Sequence, residues 1–110
     1  MSEFDPNGKD PHEPGAKLDA GKTRVWLCIG GFANALSEVA RVTTIGAKKY
    51  TPNGWACVVD GSDRYMDAAG RHLMALGSGE LIDADTGCSH KAQAAWNLLA
   101  SLELDVRGAK

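Results

Sequence analysis

The stretch "SDRYMDAAGRHLMAL" (Ser62–Leu76) decides the fold. Tyr65, Ala69, Leu73 and Leu76 recur three or four residues apart, and Arg64, Asp67 and Arg71 recur in the same way on another face. This is the period of an amphipathic helix; a half-buried strand alternates every second residue. Ser62 suits the N-cap, and Gly77 and Gly79 supply a stop.

The same period flanks this helix on both sides. Upstream, Phe32, Leu36, Val39, Ala40 and Thr43 form an apolar stripe, with Asn34, Glu38 and Arg41 on another face. Gly46 interrupts that pattern, and Pro52-Asn53-Gly54 supplies turn chemistry. Downstream, "SGELIDADTGCSH" (Ser78–His90) bridges to a third helix that Ser89 caps, running to about Leu104. Ala92, Ala95, Leu99 and Leu102 are expected on its buried side, with His90, Gln93, Asn97 and Ser101 along a polar stripe. Val25–Leu27 and Val58–Val59 are too short to build a sheet. The fold class is therefore all-α. Three amphipathic helices bury limited area, which predicts a homo-oligomer, a dimer or a tetramer.

Composition narrows the function classes. The chain has 110 residues and a net charge of -2, with no block of lysine and arginine, so nucleic-acid binding through a basic face is not expected. No apolar run approaches the roughly 20 residues that span a bilayer, and the N-terminus lacks the order of a signal peptide. Cys28, Cys57 and Cys88 are odd in number and widely spaced, which argues for reduced thiols in the cytoplasm. Residues 1–16 hold three of the four prolines and few apolar side chains, and are expected to form a flexible tail before a domain over residues 17–110.

Two familiar motifs fail on spacing. Gly21-Lys22-Thr23 matches the end of a phosphate-binding loop, but the required glycine five positions earlier is Ala16. "DADTG" places Gly87 at the fifth position of a calcium loop, where the EF-hand glycine is sixth. What points off the apolar faces is more informative. Glu38, Asp67 and the polar stripe of the third helix are expected to converge on one cleft, and hard oxygen ligands of this kind suit Mg²⁺ or Mn²⁺. Each also has a bland reading as solvated surface, and His72 reads equally as a core histidine. In "GAKKYTPNGW", lysine suits phosphate while Tyr50 or Trp55 can stack on a base and Asn53 can read a base edge; the alternative has Trp55 capping the bundle.

The segments "KLDAGKTRVWL", "EVARVTTIGAKKYTPNGW", "RYMDAAGRHLMA", "SGELIDADTGCSH" and "AAWNLL" together resemble the phage dATP/dGTP diphosphohydrolase family. Its MazZ-type members relate to MazG in the all-α nucleoside triphosphate pyrophosphohydrolase superfamily. The resemblance spans Lys17 to Leu104 and implies a MazG-like helical bundle. It also implies hydrolysis of dGTP, dATP or both between the α- and β-phosphates, with two or more Mg²⁺ or Mn²⁺ ions. A place in phage 2-aminoadenine nucleotide synthesis, in the host-cell cytoplasm, goes with it.

The positions that match are Gly46, Lys49, Tyr50, Trp55, Arg71, His72, Asp83, His90 and Asn97. Gln93 departs from the family, which often has a histidine there, and Glu38 lacks a second glutamate three residues away. On this reading Glu38 and Asp67 are the catalytic carboxylates, and Glu38, Asp67, Asp83 and Asp85 hold the metal. Lys49, Tyr50, Asn53, Trp55, Arg64, Arg71, His72, His90 and Asn97 contact substrate. The competing expectation is a helical module that binds a nucleotide or partner without turnover.

Overall fold

The computed structural model describes residues 3–108. It contains four α-helices and no strand among the described residues: α1 (Val25–Gly31), α2 (Ala33–Lys49), α3 (Gly61–Gly77) and α4 (His90–Gly108), with a 3-10 turn at Gly54–Cys57. The all-α expectation agrees with this. The helix α1 was not expected, because its apolar run is only one face-turn long and has no polar face to reveal a period. Two compact units divide the chain, Met1–Gly31 and Phe32–Lys110.

In the first unit the leading segment is tied to residues 17–22 by the Asp5 side chain, the Ala20 N–H to Phe4 carbonyl bond (3.0 Å) and the exposed Glu3–Lys22 pair (3.0 Å). The Asp5 carboxylate accepts the backbone N–H groups of Asn7 (2.7 Å) and Lys17 (2.8 Å), and Asp5 is only 5% exposed. These bonds, that of Lys17 first and that of Asn7 second, lower the Asp5 pKa below its usual 3.8. A group whose folded pKa is depressed stabilises above its unfolded value and loses that contribution as pH falls through the folded one. Asp5→Ala is therefore expected to speed amide exchange at Asn7 and Lys17 about tenfold near neutral pH. Equally fast exchange in both proteins would instead mark a flexible arm over residues 1–16.

In the second unit α3 and α4 form an antiparallel hairpin. At one end the Ser62 hydroxyl donates to Asp105 Oδ1 (2.6 Å) and lies 2.9 Å from Ser101 Oγ; at the other, His72 meets His90. Ser62 thus pins two helices together and does not cap α3. The cap position falls to Asp60, in the left-handed region at φ 54° and with no side-chain cap bond. Gly61 is buried where a β-carbon would lie 2.8 Å from Leu104 Cδ1, so glycine permits the close approach of the two helices. Ser89 caps α4 as expected, its hydroxyl accepting the Ala92 N–H at 3.0 Å. The helix α2 packs on α4, so α4 lies against both of the others.

The buried side of α4 differs from the expectation. His90, Gln93, Ala94, Asn97, Ala100 and Ser101 face inward along with Ala92, whereas Leu99 and Leu102 are exposed. Small and polar side chains let α3 and α2 approach α4 closely and let α3 bond to it, and the leucines are left outside. Among the described residues no buried hydrophobic side chain is larger than Cys88, and Met66, Leu73, Met74, Leu98 and Val106 are also exposed.

Candidate functional site

A cleft of about 880 Å³ opens between the C-terminal half of α2, the turn that follows it, and α3, with Gln93, Trp96 and Asn97 of α4 contributing to its wall. That volume lies in the range of small-molecule sites, roughly 300–1,000 Å³. Its charged side chains are Lys49, Arg64, Asp67 and Arg71: three cations and one carboxylate, in a chain whose net charge is -2. Asp67 has no ion-pair partner within 4.0 Å among the described residues, so the spacing to Arg71 does not translate into a surface pair.

An aromatic cluster supports one side of the cleft. Trp55, Tyr65 and Trp96 pack edge to face with centroids 5.6–6.4 Å apart, a favoured geometry for ring quadrupoles. The Tyr65 hydroxyl donates to the Trp55 carbonyl at 2.7 Å, and Arg107 lies over the Trp55 ring at 5.3 Å. Burial pushes the Tyr65 phenol up, with Arg64 opposing and Tyr50 adding a smaller effect. Tyr50 itself is 73% exposed at the rim, beneath Lys49.

Where α3 gives way to α4, the chain brings two imidazoles and a carboxylate together. One ligand atom from each of His72, Asp83 and His90 lies within 4.8 Å of the others. The loop is set by its backbone: Gly79 takes φ 98° just past α3, an antiparallel bridge pairs Ile82 with Ser89, and Asp83 N–H donates to the Cys88 carbonyl at 2.9 Å. His72 Nδ1 and His90 Nδ1 are 2.9 Å apart. Burial is the main cause lowering the His72 pKa, His90 adds to it and Asp83 opposes. The Asp83 carboxylate accepts the Asp85 N–H at 2.9 Å and the Gln93 side-chain amide at 3.1 Å. The first of these is the largest cause holding its pKa below the usual range; burial opposes it, and Gln93 and the two histidines add to it.

The family described as "dATP/dGTP diphosphohydrolase, N-terminal" matches residues 12–110. The chain belongs to this family. A dATP/dGTP diphosphohydrolase of Salmonella phage PMBT28 is 36% identical over 85 residues, which cover 77% of this chain and 28% of the relative. The chain thus spans little more than a quarter of that relative's length. No solved structure matches.

In this dATP/dGTP diphosphohydrolase N-terminal domain, the residues singled out from sequence fall into three places. Lys49, Tyr50, Asn53, Trp55, Arg64, Asp67, Arg71, His72 and Asn97 line the cleft. Asp83 and His90 join His72 in the cluster, and His72 belongs to both. Glu38 and Asp85 are exposed and belong to neither; Asp85 meets the cluster only through its backbone N–H. Asn97, 8% exposed, donates its side-chain amide to the Gln93 carbonyl at 2.8 Å.

Glu80 was missed, and Gln93 was read only as part of the polar stripe of α4 and a departure from the family, without its partner. Glu80 places Oε2 3.3 Å from His90 Nε2, and Gln93 orients Asp83. The signal for Gln93 was its place three residues after His90 on one helix face. Nothing local marks Glu80, because the turn at Gly79 brings it there.

Proposed function

We propose that the chain is the nucleotide-cleaving domain, over residues 17–110, of a metal-dependent enzyme that hydrolyses dGTP, dATP or both to the monophosphate and pyrophosphate. The observation that carries this reading is the cleft that gathers Lys49, Arg64 and Arg71 about a single carboxylate, beside a metal-competent cluster. Such a charge balance suits a ligand carrying about four negative charges and no neutral leaving group. The names of the family and of the phage relative supply the substrate class.

The residues fit a divalent ion. Asp67 is an exposed carboxylate on the cleft wall with no ion-pair partner among the described residues, and Asp83 is fixed by two donors. Asp67 and Asp83 would hold Mg²⁺ or Mn²⁺, with Glu38 and Asp85 the outer candidates. A bound ion neutralises phosphate oxygens and acidifies its water. In the hydrolysis, water oxygen bonds to the α-phosphorus and the bond to the bridging oxygen breaks. Asp67 takes the water proton, and Lys49 and Arg71 stabilise the departing pyrophosphate; Glu38, outside the cleft lining, would reach it only by a shift of α2 or from a second copy. Tyr50 at the rim is placed for base stacking and Asn53 for a base edge.

The exposed leucines of α4 support a homo-oligomer. No helix among the described residues is long and apolar enough to cross a membrane, in keeping with work in the host cytoplasm. The same reading supplies dGMP to phage 2-aminoadenine nucleotide synthesis. Incubating the purified chain with each deoxynucleoside triphosphate and Mg²⁺ or Mn²⁺ tests it. Monophosphate and pyrophosphate in equal amounts, from a purine substrate, are expected. Thermal stabilisation by nucleotide without any product would show a binding module instead.

A further inference from the structure

The geometry points to a nitrogen-ligated transition-metal centre built from His72 Nδ1, His90 Nδ1 and the Asp83 carboxylate, with Glu80 orienting His90 from behind. It goes beyond nucleotide hydrolysis, because it assigns an ion class to donors that an oxygen-loving Mg²⁺ does not favour. Two imidazoles and one carboxylate suit Zn²⁺, Co²⁺, Mn²⁺ or Fe²⁺, whereas Mg²⁺ takes oxygen donors and water.

Four observations converge. The three ligand atoms come from three separate elements, α3, the loop and α4, yet lie within 4.8 Å of one another. The two Nδ1 atoms are 2.9 Å apart, and nitrogens about 2.0–2.1 Å from a tetrahedral Zn²⁺ stand roughly 3.3 Å apart, so an ion enters with a separation of a few tenths of an ångström. Asp83 is held by Asp85 N–H and the Gln93 amide, as outer-shell donors hold a ligating carboxylate. Finally, His90 is 6% exposed, and its Nε2 has no aligned hydrogen-bond acceptor although Glu80 Oε2 stands 3.3 Å away.

The nearness of Glu80 favours one tautomer of His90. A proton on Nε2 faces the Glu80 carboxylate, which leaves the His90 Nδ1 lone pair aimed at the cluster, the arrangement of carboxylate–histidine–metal triads. Without an ion, His72 donates an Nδ1 proton to that lone pair. With one, His72 carries its proton on Nε2 and both lone pairs face the metal. A plain bond between the two imidazoles explains their contact but not why a rigidly held Asp83 and a buried carboxylate-facing Nε2 accompany it.

Chelator-stripped full-length protein, titrated with Zn²⁺ or Co²⁺ and separately with Mg²⁺, tests the centre by calorimetry. One Zn²⁺ or Co²⁺ per chain is expected, with a visible Co²⁺ ligand-field band, and Mg²⁺ in excess does not displace it. His72→Asn and Asp83→Asn are expected to weaken binding by about 100-fold or more, and Glu80→Gln by roughly 10–100-fold at unchanged stoichiometry. Because these variants can misfold, the wild-type protein gives a second readout: Zn²⁺ shifts the Nδ1 nitrogen resonances of His72 and His90 and leaves those of His12 in place. No uptake of Zn²⁺ or Co²⁺, or unshifted imidazoles, overturns the centre. Metal uptake without nucleotide cleavage would overturn the proposed hydrolysis and leave this centre standing.

Discussion

Asp67→Asn is expected to lower kcat for the purine triphosphate about 10²–10³-fold while KM changes little. The substitution is nearly isosteric, sits on an exposed position of α3 and removes one negative charge from a cleft otherwise lined by Lys49, Arg64 and Arg71. If the carboxylate merely balanced those cations, its loss would tighten anion binding and leave kcat intact. If it holds an ion or takes the water proton, ground-state binding survives and turnover collapses. Arg71→Ala provides the contrast: it removes a phosphate contact and is expected to raise KM as well. Steady-state pyrophosphate release with both variants separates these outcomes, and wild-type kcat in Asp67→Asn would move that carboxylate to a solvated role. Glu38→Gln, outside the cleft lining, tests whether an exposed α2 carboxylate joins the reaction.

If the exposed stripe of α4 is covered by a second copy, as proposed, Leu99→Glu combined with Leu102→Glu is expected to dissociate that oligomer and lower the melting temperature by about 10 °C or more. Each leucine is about half exposed on α4, and no buried hydrophobic side chain among the described residues is larger than a cysteine. Burying a leucine is worth roughly 1.5–3 kcal/mol, so an uncovered stripe forgoes much of what a small domain has to stabilise it. Covering it with a second copy restores that contribution, and a glutamate pair at its centre would bring carboxylates into an apolar interface. Sedimentation velocity on wild type and variant reads the change. A wild-type monomer whose stability is unaffected by the double substitution would show that the stripe is simply solvated.

Much of the fold was visible in local pattern. The α3 spacing, the Ser89 cap and the glycines after Leu76 mark elements through chemistry that acts within a turn or two of the backbone. Asp67 and Arg71 were legible as cleft candidates because helical spacing puts them on one polar face, and Lys49 because a lysine beside Tyr50 and the Pro52-Asn53-Gly54 turn suits phosphate. Ser62 shows the limit. The residue type suits a cap, and only the approach of α4 reveals that its hydroxyl goes to Ser101 and Asp105. Glu38 shows another: it shares a helix with cleft residues, yet the helix end that lines the cleft begins at Val42.

By itself the sequence determined that this protein is helical, roughly where α2, α3 and α4 run, and which residues share a face, because those properties follow from rise, twist and hydrogen-bonding within one segment. Only the tertiary structure decided which face of α4 turns inward, since small polar groups there meet α3 and α2 more closely than leucines can. It also decided that His72 and His90, eighteen positions apart, share one point with Asp83. That convergence depends on a turn at Gly79 and an antiparallel helix pair, and no local periodicity encodes a distance between elements.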